Sequence, residues 1–166
     1  TSVLLAYSLG KAQRLLAGLD PDIGRIYTHG AIENMTEVLR PLAGFPETTR
    51  VTGETTREEL RGNLVLAPPS AHGSTWMRRM VPYEVAAASG WMAFRGARRR
   101  RAVDQGFVLS DHCDWQGLLD SIRATGAERV ICTHGYAHIF SRFLAENGYD
   151  ARTEETQYEG ETPEND

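Results

Sequence analysis

Leu109-Ser110-Asp111-His112-Cys113-Asp114-Trp115 and Val130-Ile131-Cys132-Thr133-His134-Gly135-Tyr136 decide how this chain is expected to fold. In each stretch a short β-like apolar run stops at a histidine, and a helical pattern follows. Strands that alternate with helices in this way argue for an α/β layer architecture with largely parallel pairing. Ligands and metals gather at the loop ends of such sheets. A strand-helix-strand unit also brings consecutive strand ends side by side, so His112 and His134 are expected to face one pocket.

The same alternation extends outward. Gly106–Ser110, Arg129–Thr133 and Asp150–Thr156 read as strands, and Trp115–Thr125 and Ala137–Asn147 as helices, the second ended by Gly148. Upstream, Val3, Leu4, Leu5, Leu9, Ala12, Leu15, Leu16 and Leu19 recur at helical spacing and predict a helix over Ser2–Gly18, stopped by Asp20-Pro21. Strands are expected at Arg25–Thr28, at Asn63–Ala67 before Pro68-Pro69, and at Val85–Ser89, with Trp91–Phe94 continuing the last. Gly30–Leu42 reads as a helix, Pro46–Gly62 as a polar loop with one helical turn at Arg57–Leu60, and Ser70–Met80 as a loop running into a helix.

Apolar residues at 41% and charged residues at 24% describe a soluble globular chain. No apolar run approaches the roughly 20 residues that span a bilayer, and no secretory signal pattern appears. Cys113 and Cys132 suit a reducing compartment, so the cytoplasm is expected. The chain starts at Thr1 directly in an apolar pattern, as a fragment lacking its N-terminal portion would; a processed N-terminus is the alternative. Charge is unevenly spread. The segment from Glu154 to Asp166 carries six acids and no base, and without it the formal net charge of −4 becomes +2. Seven arginines lie between Arg78 and Arg101 against the single acid Glu84, and Arg98, Arg99, Arg100 and Arg101 are consecutive. Such a segment is either a phosphate-contacting surface or a solvated edge.

His112 stands between Asp111 and Asp114. A neighbouring carboxylate fixes an imidazole's tautomer and raises its basicity, which suits a metal ligand or a general acid. Either aspartate could instead cap the helix that starts near Trp115. His134 precedes Gly135, which leaves room for a ligand near the backbone; a satisfied core histidine is the competing view. Cys132 reads as a small buried apolar residue. Ser70, His72 and Ser74 follow a strand end where hydroxyls and free N–H groups could hold phosphate. His29 is similarly placed, at a strand end and helix start.

Taken in order, Leu9–Leu16, Tyr27–Ala31, Ala67–Ser74, Ala88–Met92, Ser110–Trp115 and Thr133–Tyr136 resemble one family. The chain is similar to the C-terminal part of a metallo-β-lactamase-fold nuclease with a β-CASP insert, closest to the bacterial ligase-associated DNA exonucleases (mRNA 3′-end processing factor-like). The resemblance implies a β-CASP domain over residues 1–104, a parallel-sheet α/β unit. It implies that residues 105–159 are the C-terminal βαβαβ portion of a metallo-β-lactamase αββα fold, and that 160–166 form a disordered acidic tail. It makes His112, with Asp111 and Asp114, the proton-donating motif beside the scissile phosphate, and His134 a zinc ligand. The full enzyme would be a zinc-dependent exonuclease with two zinc ions, acting on DNA ends in repair, alongside an ATP-dependent DNA ligase and a helicase, with no membrane. The family's HxHxDH motif is absent from this sequence. The stretch therefore supplies about one zinc ligand and is expected to be inactive alone. The alternatives are a non-catalytic nucleic-acid-binding module and an RNA-processing β-CASP ribonuclease.

Overall fold

Ser2–Leu5 is a strand and not the start of a helix, in a computed structural model that describes residues 1–94 and 96–155. This strand, β1, has Val3, Leu4 and Leu5 all buried. A parallel strand covered on both faces reads as a continuous apolar run, which imitates helical spacing when a helix follows closely. The helix itself, α1, is Lys11–Gly18.

The chain divides into two compact units, Thr1–His112 and Cys113–Asp166. In the first, β2 (Ile26–Thr28), β3 (Thr48–Arg50), β4 (Leu64–Ala67), β5 (Glu84–Ala88) and β6 (Gln105–Phe107) join β1 in a six-stranded sheet of order β3-β2-β4-β1-β5-β6. Every pairing is parallel. The α/β class with parallel pairing is therefore as the sequence predicts. Strand β3 lies within the stretch read as loop. It is a polar edge strand, with Thr49 and Arg50 exposed, so it carries no apolar alternation to announce it.

The two faces of this sheet are covered by different connections. Val3, Leu5, Tyr27, Val65 and Val85 pack with Leu60 of α3 (Arg57–Leu60) and with Met77 and Met80 of a 3₁₀ helix at Thr75–Met80. Ile26, Leu66 and Ala6 pack with Ala12 and Leu16 of α1 and Ile32 of α2 (Gly30–Leu39). Connections that step one way along the sheet, through α1 and α2, thus lie on one face, and those that step back lie on the other. A single crossover hand requires this arrangement. At β1 and β4, which are neighbours, the chain leaves in opposite directions. The crevice at their carboxyl ends is the topological switch point, where doubly wound sheets hold ligands.

Two further segments of this unit differ from the pattern read in the sequence. Trp91–Phe94 does not prolong β5. Gly90–Ala93 is a 3₁₀ turn whose start is capped by Ser89, the Oγ of which accepts the Trp91 N–H at 3.3 Å. The arginine-rich stretch forms one helical turn, α4 (Ala97–Arg100), and leads to β6, which pairs with β5 from Ala86 opposite Gln105 to Ala88 opposite Phe107.

In the second unit α5 (Trp115–Thr125), β7 (Arg129–Cys132), α6 (Ala137–Glu146) and β8 (Asp150–Thr153) form a strand-helix-strand unit with one preceding helix. Strands β7 and β8 pair in parallel, and Arg129 and Asp150, directly opposite, make an ion pair at 2.7 Å. Leu119, Cys132 and Leu144 are its buried centre. Trp115 sets its ring edge-on to Phe140 and Phe143, at 5.2 and 4.8 Å. Ile131, Tyr136 and Ile139 stay exposed. The segment 160–166, expected to be disordered, lies outside the described residues. Among those described, no helix is long and apolar enough to cross a membrane.

Candidate functional site

The carboxyl ends of the first sheet bring together loops that are distant in sequence. β1 delivers Tyr7 to Gly10, β2 delivers His29, β4 delivers Pro68 to Ser74, β5 delivers Ser89 and Gly90, and β6 leads on to Ser110, Asp111 and His112. α1 organises this edge. Gly10, at φ +84°, ends the β1 loop, and its N–H donates to Gln13 Oε1 at 2.8 Å. Gln13 Nε2 donates in turn to Ser8 O and Thr36 Oγ1, so the loop is tied to α2 as well.

The Ser110–His112 turn is held against the start of α1 by three residues. Lys11 Nζ lies 3.2 Å from Asp111 Oδ1, on a side chain only 4% exposed, and 4.8 Å from the centre of the Tyr7 ring. The Arg14 guanidinium donates to the Ser110 carbonyl. A Cβ at Gly10 would sit 3.1 Å from Asp111 Oδ2, so the close approach of the carboxylate depends on glycine there. From the other side Gly90 lies against Ser110, where a Cβ would be 3.4 Å from Ser110 Cβ. Ser110 Oγ accepts the His112 N–H at 3.2 Å. Partial burial pushes the Asp111 carboxyl up, but its backbone N–H, the Lys11 ammonium and the neighbouring His112 outweigh this and hold it below the usual carboxylate range. The His112 side chain is left in solvent.

His29 caps α2, its Nδ1 accepting the Ala31 N–H at 3.1 Å, and it meets Trp76 edge-on at 4.7 Å. Burial pulls its pKa down. Ser70 is exposed on a 3₁₀ turn at Pro69–Ala71, and His72 is half-buried. Ser74 Oγ is buried and makes no hydrogen bond among the described residues.

The arginines stand elsewhere in the first unit. Arg98, Arg99, Arg100 and Arg101 are exposed, and none has a side-chain hydrogen bond or ion pair among the described residues. The Val103 N–H donates to Arg98 O and the Asp104 N–H to Val85 O, which puts the arginine turn beside the amino end of β5, at the edge opposite His112. Asp114 and His134 belong to the second unit. Asp114 Oδ1 accepts the Gly117 N–H at 2.8 Å and caps α5, the plainer of the two roles open to it. His134, exposed, follows β7, with Nδ1 2.8 Å from Thr133 Oγ1. It borders a groove of about 420 Å³ lined chiefly by apolar groups, among them Trp115, Leu118, Ile122 and Val130. Cys132 is buried, and burial pushes its thiol up, as fits a small apolar residue. Among the described residues no group of three or more His, Cys, Asp or Glu is placed to hold a metal ion.

No protein-family model matches the chain, and no solved structure matches it. Over 150 residues it is 35% identical to a protein of Opitutus terrae named probable DNA ligase. That similarity covers 90% of this chain and 14% of the relative, so the chain spans about one seventh of the length of the curated relative it matches.

Sequence pattern alone does not assign chemistry to Lys11, Gly10 or Arg14. Their partners lie far along the chain, and only the order of the strands brings Asp111 to α1. The usable signal was local: a lysine directly after glycine at a helix start, with no acid in the first turn to answer it.

Proposed function

We propose that this chain is the C-terminal part of a metallo-β-lactamase-fold, β-CASP-type nuclease, a phosphodiester hydrolase acting on DNA ends in repair. The observation that carries the proposal is the Ser110–Asp111–His112 turn, fixed to α1 at the carboxyl edge of a parallel sheet with the imidazole left open to solvent. The oxygen that leaves a cleaved phosphodiester needs a proton, and an imidazolium is suited to give it. Asp111 serves as a positioning residue: its carboxylate is ionised against Lys11 and holds His112 in place. Ser70 and His72 stand on the same edge, where a phosphate would be met by a hydroxyl and an imidazole, while the Ser74 Oγ between them and the next turn is buried. The relative named probable DNA ligase favours DNA as substrate and a ligase as working partner.

Zinc is the cofactor this family resemblance implies. The described residues do not compose a zinc site by themselves. A zinc ion in a longer polypeptide would take His134 together with ligands from outside these residues.

The test is digestion of end-labelled DNA, with and without zinc, by the longest polypeptide that carries this sequence, beside its His112→Ala variant. Cleavage that falls about 10²–10⁴-fold in the variant, with DNA still bound, is expected. No cleavage of DNA by the parent protein would overturn the hydrolase. A second reading, a nucleic-acid-binding module without catalysis, is favoured by the four exposed guanidinium groups of Arg98–Arg101, unpaired among the described residues. It expects salt-dependent binding and no cleavage.

A further inference from the structure

We infer that the 3₁₀ turn Gly90–Ala93 with Phe94, together with α4, is a binding track for single-stranded nucleic acid. The inference rests on the nucleic-acid reading above and narrows its substrate class. The turn is built to face outward. Ser89 caps it, and the Met92 N–H donates to Ser89 O at 3.1 Å. Met92 is its inward member and packs on the core; a Cβ at Gly106 would lie 2.6 Å from Met92 Sδ, so Met92 is seated in a space that only glycine leaves. With Met92 turned in, Trp91 and Phe94 turn out, 57% and 62% exposed, their ring centres 5.7 Å apart. Two large aromatic side chains this open on a capped turn are not core residues.

The turn runs straight into the arginines. The Phe94 carbonyl accepts the Ala97 N–H at 3.3 Å, and the next four residues are Arg98 to Arg101, exposed and without partners among the described residues. At its other end Gly90 touches Ser110, beside His112. The track thus begins at the His112 turn, crosses two aromatic rings and descends to four guanidinium groups at the amino edge of β5. Aromatic faces next to a basic run fit a strand whose bases stack and whose phosphates are neutralised. A duplex hides its base faces in its own stack and could use only the arginines. A single strand uses both halves, and the continuity with the His112 turn would lead its end toward the proton donor.

Fluorescence anisotropy of labelled oligothymidylate of about 20 nucleotides, against a blunt duplex of equal length, tests this on the 166-residue chain with EDTA present. The parent should prefer the single strand. Trp91→Ala/Phe94→Ala should weaken single-strand binding by about tenfold or more, leave duplex binding and the salt dependence unchanged, and leave the circular dichroism melt in place. Trp91→Phe should restore most of the loss. Serine at all four of Arg98–Arg101 should instead flatten the slope of log affinity against log salt by up to about 3. A preference for duplex, or undiminished single-strand binding by the double variant, overturns the track while the nucleic-acid reading stands. A double variant that dissolves a dimer of the chain but binds oligothymidylate normally makes the surface a protein contact and also overturns it. No binding of either oligonucleotide by the parent overturns both.

Discussion

Lys11 and Asp111 set the local electrostatics of the edge that carries His112. The ammonium is buried, and the carboxylate's pKa lies below its ordinary range. A carboxyl depressed in the folded state stabilises the fold above its unfolded pKa of about 3.9, and this contribution is lost as pH falls through the lower folded value. The stability difference between the parent and Asp111→Asn, read from urea unfolding, should therefore be full at neutral pH and shrink on acidification through the carboxylate range. A difference that does not change with pH would mean the pair is not ionised as described. Lys11→Met should cost about 1–3 kcal/mol, since it strands a partly buried carboxylate. Gly10→Ala combines the same crowding at Asp111 Oδ2 with a positive φ that glycine tolerates best. That His112 ends an apolar run was legible in the sequence, because it needs only neighbours. That its turn is held by Lys11 was not, because the pairing depends on β6 lying beside β5 and β5 beside β1.

Elements were legible where local chemistry agreed with the final packing. α5 matches its sequence pattern from Trp115 to Thr125, with Asp114 capping its start and Gly126 its end at φ +64°. Asp114→Ala should destabilise the second unit by about 1 kcal/mol, the usual value of such a cap, in a thermal melt followed by Trp115 fluorescence. Elements misled where a tertiary neighbour supplied what the sequence lacked. Val3–Leu5 of β1 are apolar because β4 and β5 flank the strand and both faces of the sheet are covered. β3 is polar because it is an edge. The stretch 90–94 carries the strand-like aromatic residues Trp91 and Phe94 because those residues face out, not because the backbone is extended.

At the scale of the molecule, the two units differ in how much core they own. The first buries both faces of a six-stranded sheet, while the second closes a two-stranded sheet over Leu119, Cys132 and Leu144 and leaves Ile131, Tyr136 and Ile139 exposed. Two-stranded sheets are marginal without further packing. Amide hydrogen exchange should therefore protect β1 and β4 most strongly, and β7 least among the strands with buried residues. Leu144→Ala, worth about 2–5 kcal/mol at a fully buried site, should abolish protection in α5–β8 and spare β1. The layer class and the parallel pairing were legible from alternation alone. The strand order, which decides that Ser110–His112 returns to α1 and that Arg98–Arg101 lie at the opposite edge, was not, since periodicity carries no information about which strand lies next to which.

The role proposed for the imidazole at 112 is to protonate the oxygen leaving a DNA phosphodiester. Its most direct test is a substrate in which a bridging sulfur replaces that oxygen, because a thiolate leaves without a proton. In single-turnover cleavage by the polypeptide carrying this chain, His112→Ala should lower the rate on the oxygen substrate by about 10²–10⁴-fold and leave the sulfur substrate nearly as fast as with the parent. Equal losses on both substrates would contradict the assignment.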